Sequence, residues 1–217
     1  MIALSLVAAT ANRGKLAEIR LLLGKLPVQV LSTREALGRP LAVVEDGASF
    51  EENALKKARA VAEATGLVTL ADDSGLEVDA LGGRPGVRSA RFAGERATDA
   101  ENNRALLDCL QDVEDGERGA RFRCVIALVD PWHPGEEILV GGRCDGRIAR
   151  KPSGTGGFGY DPLFIVDGLG RTLAELGEQE KNRTSHRGRA LAALRPELER
   201  RIGERLAEAA RIAGAGG

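Results

Sequence analysis

Residues 2–26 read IALSLVAA, TANRGK and LAEIRLLLGKL in succession, and these three pieces decide the class of fold. The first, Ile2 to Ala9, is a short, largely apolar run broken only by Ser5, of the kind found in strands buried on both faces. The second, Thr10 to Lys15, is polar, contains Gly14 and reads as a loop. In the third, Leu16, Ile19, Leu23 and Leu26 recur at three- and four-residue spacing until Pro27 ends the pattern, which predicts a helix. A buried strand feeding through a polar loop into a helix is the building unit of α/β folds.

Further along, Ser49 and Glu52 predict a capping box that opens a second helix to about Thr65, with Gly66 as its stop. Leu67 to Ala71 reads as the next strand, delivering Asp72, Asp73, Ser74 and Gly75 at its C-terminal end. Thr98 and Glu101 form another capping box, backed by Leu106, Leu107 and Leu110. Phe122 to Val129 reads as a strand, Pro131 to Gly135 as a turn, and Ile138 to Val140 as an antiparallel partner. Leu163 to Val166 is a further short strand. From Thr184 the pattern is helical, with an interruption at Pro196 and a frayed tail over about 212–217. Helices alternate with strands, yet hairpins also occur, so the expectation is an α/β chain with a mixed sheet in a single domain spanning 1–217.

Bulk properties narrow the partners. Apolar residues are 43% and charged residues 29% of 217, but aromatics only 3%, so the core rests on Ala, Leu and Val and the few aromatics stand out. A formal net charge of −1 with no basic block speaks against duplex nucleic acid or an anionic membrane as the main partner. Cys109, Cys124 and Cys144 form no CxxC pair and read as free thiols of a reducing compartment. Residues 1–11 imitate a secretory leader ending in Ala9-Thr10-Ala11. They lack a basic start and run straight into a helix pattern, so the expected location is the cytoplasm.

Four groups of residues carry candidate chemistry. Thr10, Asn12 and Lys15 stand where a strand meets a helix N-terminus, a setting that favours a phosphate through N–H groups and helix dipole; the same residues also suit a simple helix cap. Glu45, Asp46, Asp72 and Asp73 offer hard oxygens fit for Mg²⁺, which prefers few protein ligands plus phosphate and water; alone, the Asp pair fits a solvated turn equally well. Lys56 and Asn53 share a helix face, and Lys181, His186 and Arg187 cluster near another helix start, as cations for a phosphate chain. Gly154 to Pro162 brings glycines that admit a ligand close to the backbone, an aromatic face in Phe158 and an acceptor in Asp161. There is no GxxxxGK[ST] and no GxSxG, which removes the P-loop and serine-hydrolase readings; Gly154-Thr155-Gly156-Gly157-Phe158-Gly159 has the GxGxxG spacing, but it runs on towards a strand and does not open a helix, so a dinucleotide fold is not indicated.

Taken in order, Thr10-Ala11-Asn12-Arg13-Gly14-Lys15, Glu51-Glu52-Asn53-Ala54, Ala71-Asp72-Asp73-Ser74-Gly75-Leu76, Leu81-Gly82-Gly83-Arg84-Pro85-Gly86, Ser89-Ala90-Arg91-Phe92, Gly156-Gly157-Phe158-Gly159-Tyr160-Asp161-Pro162, and Glu180-Lys181 with Ser185-His186-Arg187-Gly188 resemble the inosine triphosphate pyrophosphatase (HAM1-like) family. Ala11 departs from the Gly usual there in bacterial members. The resemblance implies two lobes around an elongated mixed sheet flanked by helices, a site in the cleft between the lobes, a homodimer and dependence on Mg²⁺. It implies that Thr10, Ala11, Asn12, Arg13, Gly14 and Lys15 bind phosphate, and that Glu45 and Asp73 hold metal, with Asp73 as proton acceptor. Ser74, Phe158, Gly159, Tyr160, Asp161, Lys181, His186 and Arg187 would contact substrate, with Lys56 helping Lys15 and Lys181 to neutralise the phosphates. The reaction implied converts ITP, dITP or XTP to monophosphate and pyrophosphate. Two rivals remain: a silent nucleotide-binding module, which has no use for the Asp pair, and a Maf-like pyrophosphatase acting on other modified nucleotides.

Overall fold

The computed structural model describes residues 4–214. Six strands form one mixed sheet in the order β2-β1-β3-β4-β5-β6: β1 (Leu4–Ala8), β2 (Val28–Ser32), β3 (Val68–Val78), β4 (Gly119–Val129), β5 (Ile138–Ile148) and β6 (Phe164–Val166). β1 pairs parallel with β2 and β3, and β3 through β6 pair antiparallel. The helices are α1 (Arg13–Leu23), α2 (Thr33–Leu37), α3 (Phe50–Thr65), α4 (Asp99–Cys109), α5 (Glu178–Thr184) and α6 (His186–Gly214).

The apolar run at the N-terminus is explained by coverage on both faces. Leu6 and Ala8 pack with Ile19 and Leu23 of α1 and with Ala190, Leu191, Leu194 and Leu198 of α6. Val7 points the other way, into a cluster with Phe50, Ala54, Ala58 and Val61 of α3. A separate core at the far end of the sheet joins Leu76, Val78, Leu106, Leu110, Phe122, Leu163 and Phe164. The long strands β3, β4 and β5 connect the two ends.

One departure from the sequence expectation creates the site. β3 does not stop at Ala71. Its pairing with β1 ends at Ala8↔Leu70, but its pairing with β4 continues from Thr69↔Val129 to Val78↔Ala120. Asp72 and Asp73 therefore lie within a strand, opposite Ile126 and Val125. The edge of β3 next meets a partner at Glu77, which bridges to Pro85. Between those points the sheet is split, and a cleft opens.

Other differences have local causes. At α3, Ser49 accepts the N–H of Glu52, but the Glu52 carboxylate reaches Ala48 instead of closing back on Ser49, so only half of the box forms. Both halves form at Thr98 and Glu101. α6 runs through Pro196 without interruption. A proline inside a helix costs roughly 3 kcal/mol, which is outweighed by burying Ala190, Leu191, Leu194, Leu198 and Ile202 on one face at about 1.5–3 kcal/mol for each large side chain. The helical backbone reaches Gly214, so of the tail expected to fray only 215–217 lie outside the described residues, as do Ile2 and Ala3 of the expected strand. Among the described residues no helix is long and apolar enough to cross a membrane.

Candidate active site

The cleft in the split sheet has a volume of about 1050 Å³ and takes its walls from both ends of the molecule. The β1–α1 loop supplies one wall. Asn12 caps α1, its side chain accepting the N–H groups of Gly14 and Lys15 at 2.8 and 3.1 Å. Those two donors are thus occupied, and the loop addresses the cleft through Thr10, Ala11, Asn12, Arg13 and the Lys15 side chain. Gly14 faces the opposite wall: a Cβ there would stand 2.7 Å from the Phe158 ring, so only glycine lets the aromatic close on the loop.

Strand alternation sends Asp72 and Asp73 to opposite faces of β3, and they meet different neighbours. Asp72 is fully buried beneath the α1–α6 side. Its Oδ2 takes the Lys15 ammonium at 3.1 Å and Nε and Nη2 of Arg187 at 3.1 and 3.0 Å, with the Ser74 hydroxyl donating at 3.3 Å. Burial alone would push its pKa up; Lys15, Arg187 and Lys57 override it and hold the carboxyl far below the usual range. Arg187 also donates to Glu18 and to the Ser74 oxygen, so four of its five N–H groups are spent on protein. Its pKa is raised despite complete burial, chiefly by Asp72.

Asp73 looks towards α3. Burial raises its pKa, joined by the nearby Glu45 carboxylate and opposed by Lys57, Lys15 and a hydrogen bond from Asn53. Its Oδ1 accepts the N–H of Ser74 at 3.0 Å, while Oδ2 is buried with no hydrogen-bond partner among the described residues. Glu45 pairs with Lys57 at 2.9 Å. Buried Asn53 stands between the two segments, accepting the N–H of Gly47 at 2.8 Å and lowering the pKa of nearby Asp73.

The third wall belongs to Phe158–Asp161 and the start of α6. The Phe158 ring lies under two cations, Lys181 Nζ at 4.9 Å and Arg187 Cζ at 5.7 Å from its centroid. Asp161 Oδ2 accepts the Phe158 N–H and the Lys181 ammonium, each at 2.9 Å. Burial pushes the Asp161 pKa up and Lys181 pulls against it; Lys181 itself, although desolvated, is raised by Asp161 and Glu18. His186 stacks on Phe122 with centroids 4.6 Å apart. Burial first, then Arg187 and Lys15, depress its pKa well below the usual 6.5, so it is a neutral imidazole at pH 7. Buried Tyr160 donates its hydroxyl to the Ser89 carbonyl at 2.8 Å.

Lys56 stands apart. It pairs with exposed Asp46 on the outer side of α3, and its neighbour Lys57 faces the cleft instead, beside Glu45 and Asp73. Glu18 is a second cleft residue that the sequence did not single out. It joins Lys181, at 2.7 Å, to Arg187.

For a cation, the donor set is apt. A buried carboxylate oxygen without a partner beside a second carboxylate is costly unless a positive charge completes it. Among the described residues no group of three or more His, Cys, Asp or Glu is gathered as a metal cage. A two-carboxylate site that leaves most positions to phosphate and water suits Mg²⁺.

Comparison with known proteins gives the family. The model of the Ham1 family matches residues 6–197. The chain is 54% identical over 193 residues to a dITP/XTP pyrophosphatase of Geobacter sulfurreducens, covering 89% of this chain and 96% of that protein. It is 48% identical over 188 residues to one of Escherichia coli O157:H7, with 87% and 94% covered. Among solved structures it resembles a HAM1 protein from Coxiella burnetii, with a TM-score of 0.81 and 46% identity over 90% of this chain and 98% of that one. The Staphylococcus aureus Ham1 protein gives a TM-score of 0.79 and 39% identity at the same coverage.

Proposed function

The chain belongs to the Ham1 family, and on that premise we propose that it hydrolyses ITP, dITP and XTP to nucleoside monophosphate and pyrophosphate, clearing damaged purines from the nucleotide pool. The observation that carries this reading is that one cleft is walled by a cationic loop, a carboxylate pair and an aromatic face. A silent binding module would have no use for the unpartnered Asp73 oxygen, and the names of the relatives lend no support to a Maf-like substrate range.

In the proposed reaction a water oxygen attacks the α-phosphorus, the bond from that phosphorus to the bridging oxygen breaks, and pyrophosphate departs. Asp73 orients the water and accepts its proton; contact with a divalent cation would lower its basicity, so positioning of the water contributes more than base strength. Glu45 and Asp73 would hold Mg²⁺, whose contribution is to offset negative charge on the phosphate oxygens. Lys15 and Lys57 face the phosphate chain from opposite sides of β3. Asp72 works one step back, fixing Lys15 and Arg187.

Base choice follows from the hydrogen-bond inventory. Hypoxanthine and xanthine present a 6-oxo acceptor and an N1–H donor, and adenine reverses both. Asp161 spends Oδ2 on protein partners, which leaves Oδ1 to accept from N1–H. Arg187 is too heavily committed to serve O6 alone, so we assign that role to Lys181 or His186 at the same wall. A buried pocket of this kind rejects a mispaired base by about 10⁴-fold. We also propose a homodimer acting in the cytoplasm as a single domain.

The test is a panel of nucleoside triphosphates with Mg²⁺, analysed for pyrophosphate against orthophosphate. Pyrophosphate from ITP and XTP, with ATP turned over at least about a hundredfold less efficiently, is the expected result. Orthophosphate as direct product, or ATP consumed as readily as ITP, would overturn the assignment.

A further inference from the structure

Helix α4 sits at the rim of the cleft, and two of its side chains one turn apart hold the two peptide groups that flank a single residue, Gly159, of the loop that carries Phe158. The Thr98–Glu101 box already serves the N-terminus of α4: the Thr98 hydroxyl accepts the N–H of Glu101, and the Glu101 carboxylate accepts that of Thr98. Asp99 is therefore not needed as a cap. Its Oδ2 reaches across sixty residues of sequence and accepts the N–H of Gly159 at 2.8 Å. Asn103, four positions on and so on the same helix face, donates from Nδ2 to the Gly159 carbonyl at 2.9 Å.

Both polar groups of Gly159 are thus held from one helix. The Asn103 amide is oriented by this bond alone, because its Oδ1 is buried with no partner among the described residues. An amide that leaves one end unsatisfied costs stability, which is unexpected if Asn103 serves only to anchor a loop. Gly159 has a left-handed backbone with φ of +62°, and it sits directly between Phe158, the aromatic face, and Tyr160-Asp161. The loop's ties beyond Gly159 include Tyr160 to Ser89, Asp161 back to Phe158 and across to Lys181, and the Asp161 carbonyl to the N–H of Ala174.

We propose that Asp99 and Asn103 are positioning residues for purine recognition, which fix the Phe158 ring and the Asp161 carboxylate by holding the peptide groups on either side of Gly159. Neither residue touches the reacting atoms. Their effect falls on the geometry of the base wall, where a displacement near 1 Å is enough to weaken recognition. Loss of the clamp lowers affinity for the purine and leaves the phosphate chemistry at Asp73 in place. The inference rests on the pyrophosphatase reading for the identity of the base; the clamp itself does not.

The experiment compares wild type with Asp99→Ala, Asp99→Asn and Asn103→Ala in two measurements. In the first, hydrogen exchange of the Gly159 amide is followed by NMR without nucleotide. Exchange should accelerate by about tenfold in Asp99→Ala and recover in Asp99→Asn, whose side-chain oxygen still accepts. In the second, KM for ITP should rise by about tenfold in both alanine variants, with kcat within about twofold of wild type, and Asp99→Asn should recover most of that loss. Unchanged Gly159 exchange in both alanine variants, or a fall in kcat at unchanged KM, overturns the proposal. Asp99→Asn and Asn103→Ala keep the question decidable if Asp99→Ala does not fold. Should wild type fail to hydrolyse ITP, the functional reading falls, while the exchange data still decide whether the clamp exists.

Discussion

Replacing Asp72 by asparagine preserves the side-chain shape and removes one charge from the most deeply buried ionic cluster of the molecule. In the native protein a single oxygen of Asp72 faces Lys15 at 3.1 Å and Arg187 at 3.0 Å, and the carboxylate and the guanidinium are both almost wholly excluded from water. Without the carboxylate charge, two cations share a desolvated space with only Glu18 to balance Arg187. Breaking a buried pair from one side costs about 3–5 kcal/mol. For a chain of this length each kcal/mol moves the midpoint by about 2–4 °C, so Asp72→Asn should lower Tm by about 6–20 °C. The assay is thermal unfolding by circular dichroism, in chelator, across a pH series. The sign of the pH effect follows from the depressed pKa of Asp72. The unfolded chain, with a carboxyl near 3.8, takes up the proton before the folded one does. The stabilisation is therefore complete above about pH 5 and is lost as pH falls through the folded value. The gap between wild type and Asp72→Asn should thus be widest at neutral pH and close in acid. A further variant, Arg187→Met, should be worse alone than in combination with Asp72→Asn. A shift in Tm under 2 °C, or a gap indifferent to pH, would refute charge compensation as the role of Asp72.

Three more outcomes follow from the same geometry. Asp73→Asn should reduce kcat by about 10²–10⁴-fold while nucleotide binding, measured by calorimetry, stays within a few-fold of wild type; near-normal turnover would remove Asp73 from the chemistry. Lys57→Ala should lower kcat/KM for ITP at least about tenfold, whereas Lys56→Ala, altering an exposed pair with Asp46, should stay within about twofold; the reverse order would place the wrong lysine in the cleft. Of the three thiols only Cys109 is exposed, and burial pushes Cys124 up to about 12 and Cys144 up to about 11. Native protein at pH 8 should accordingly give one fast-reacting thiol with a disulfide reagent, lost in Cys109→Ser, and all three only after unfolding.

The parts of this fold that were readable in the sequence are those where one physical demand governs a whole segment. The buried half of β1, Leu6 to Ala8, is apolar because α3 covers one face and α1 with α6 the other, and the sequence shows it. Gly66, at φ of +66°, ends α3 where a left-handed residue was expected. The boundary of β3 was hidden because Asp72-Asp73-Ser74-Gly75 has the composition of a turn; only the ladder to β4, fifty residues away, keeps it extended. β2 and α2 leave little readable signal, since Val28–Ser32 is a half-buried five-residue edge whose pattern is too short to stand out. The exchange of Lys56 for Lys57 had a usable signal. The buried positions of α3 are 50, 53, 54, 57, 58, 61 and 62, a helical stripe that includes 57 and turns 56 away by about 100°. Glu18 had none, because its partners stand 163 and 169 residues distant.

The cluster around Arg187 has a bearing on salt. Lys15, Arg187 and Lys181 are matched one for one by Asp72, Glu18 and Asp161, so that six full charges sum to zero. Electroneutrality is thus reached before any substrate arrives, and the cleft exerts little long-range pull on a polyanion. Nucleotide capture should then be nearly insensitive to ionic strength, unlike that of proteins which hold phosphates in a basic trough. A tail of phosphates meeting so balanced a lattice of ions gains most when it brings its own counterion with it.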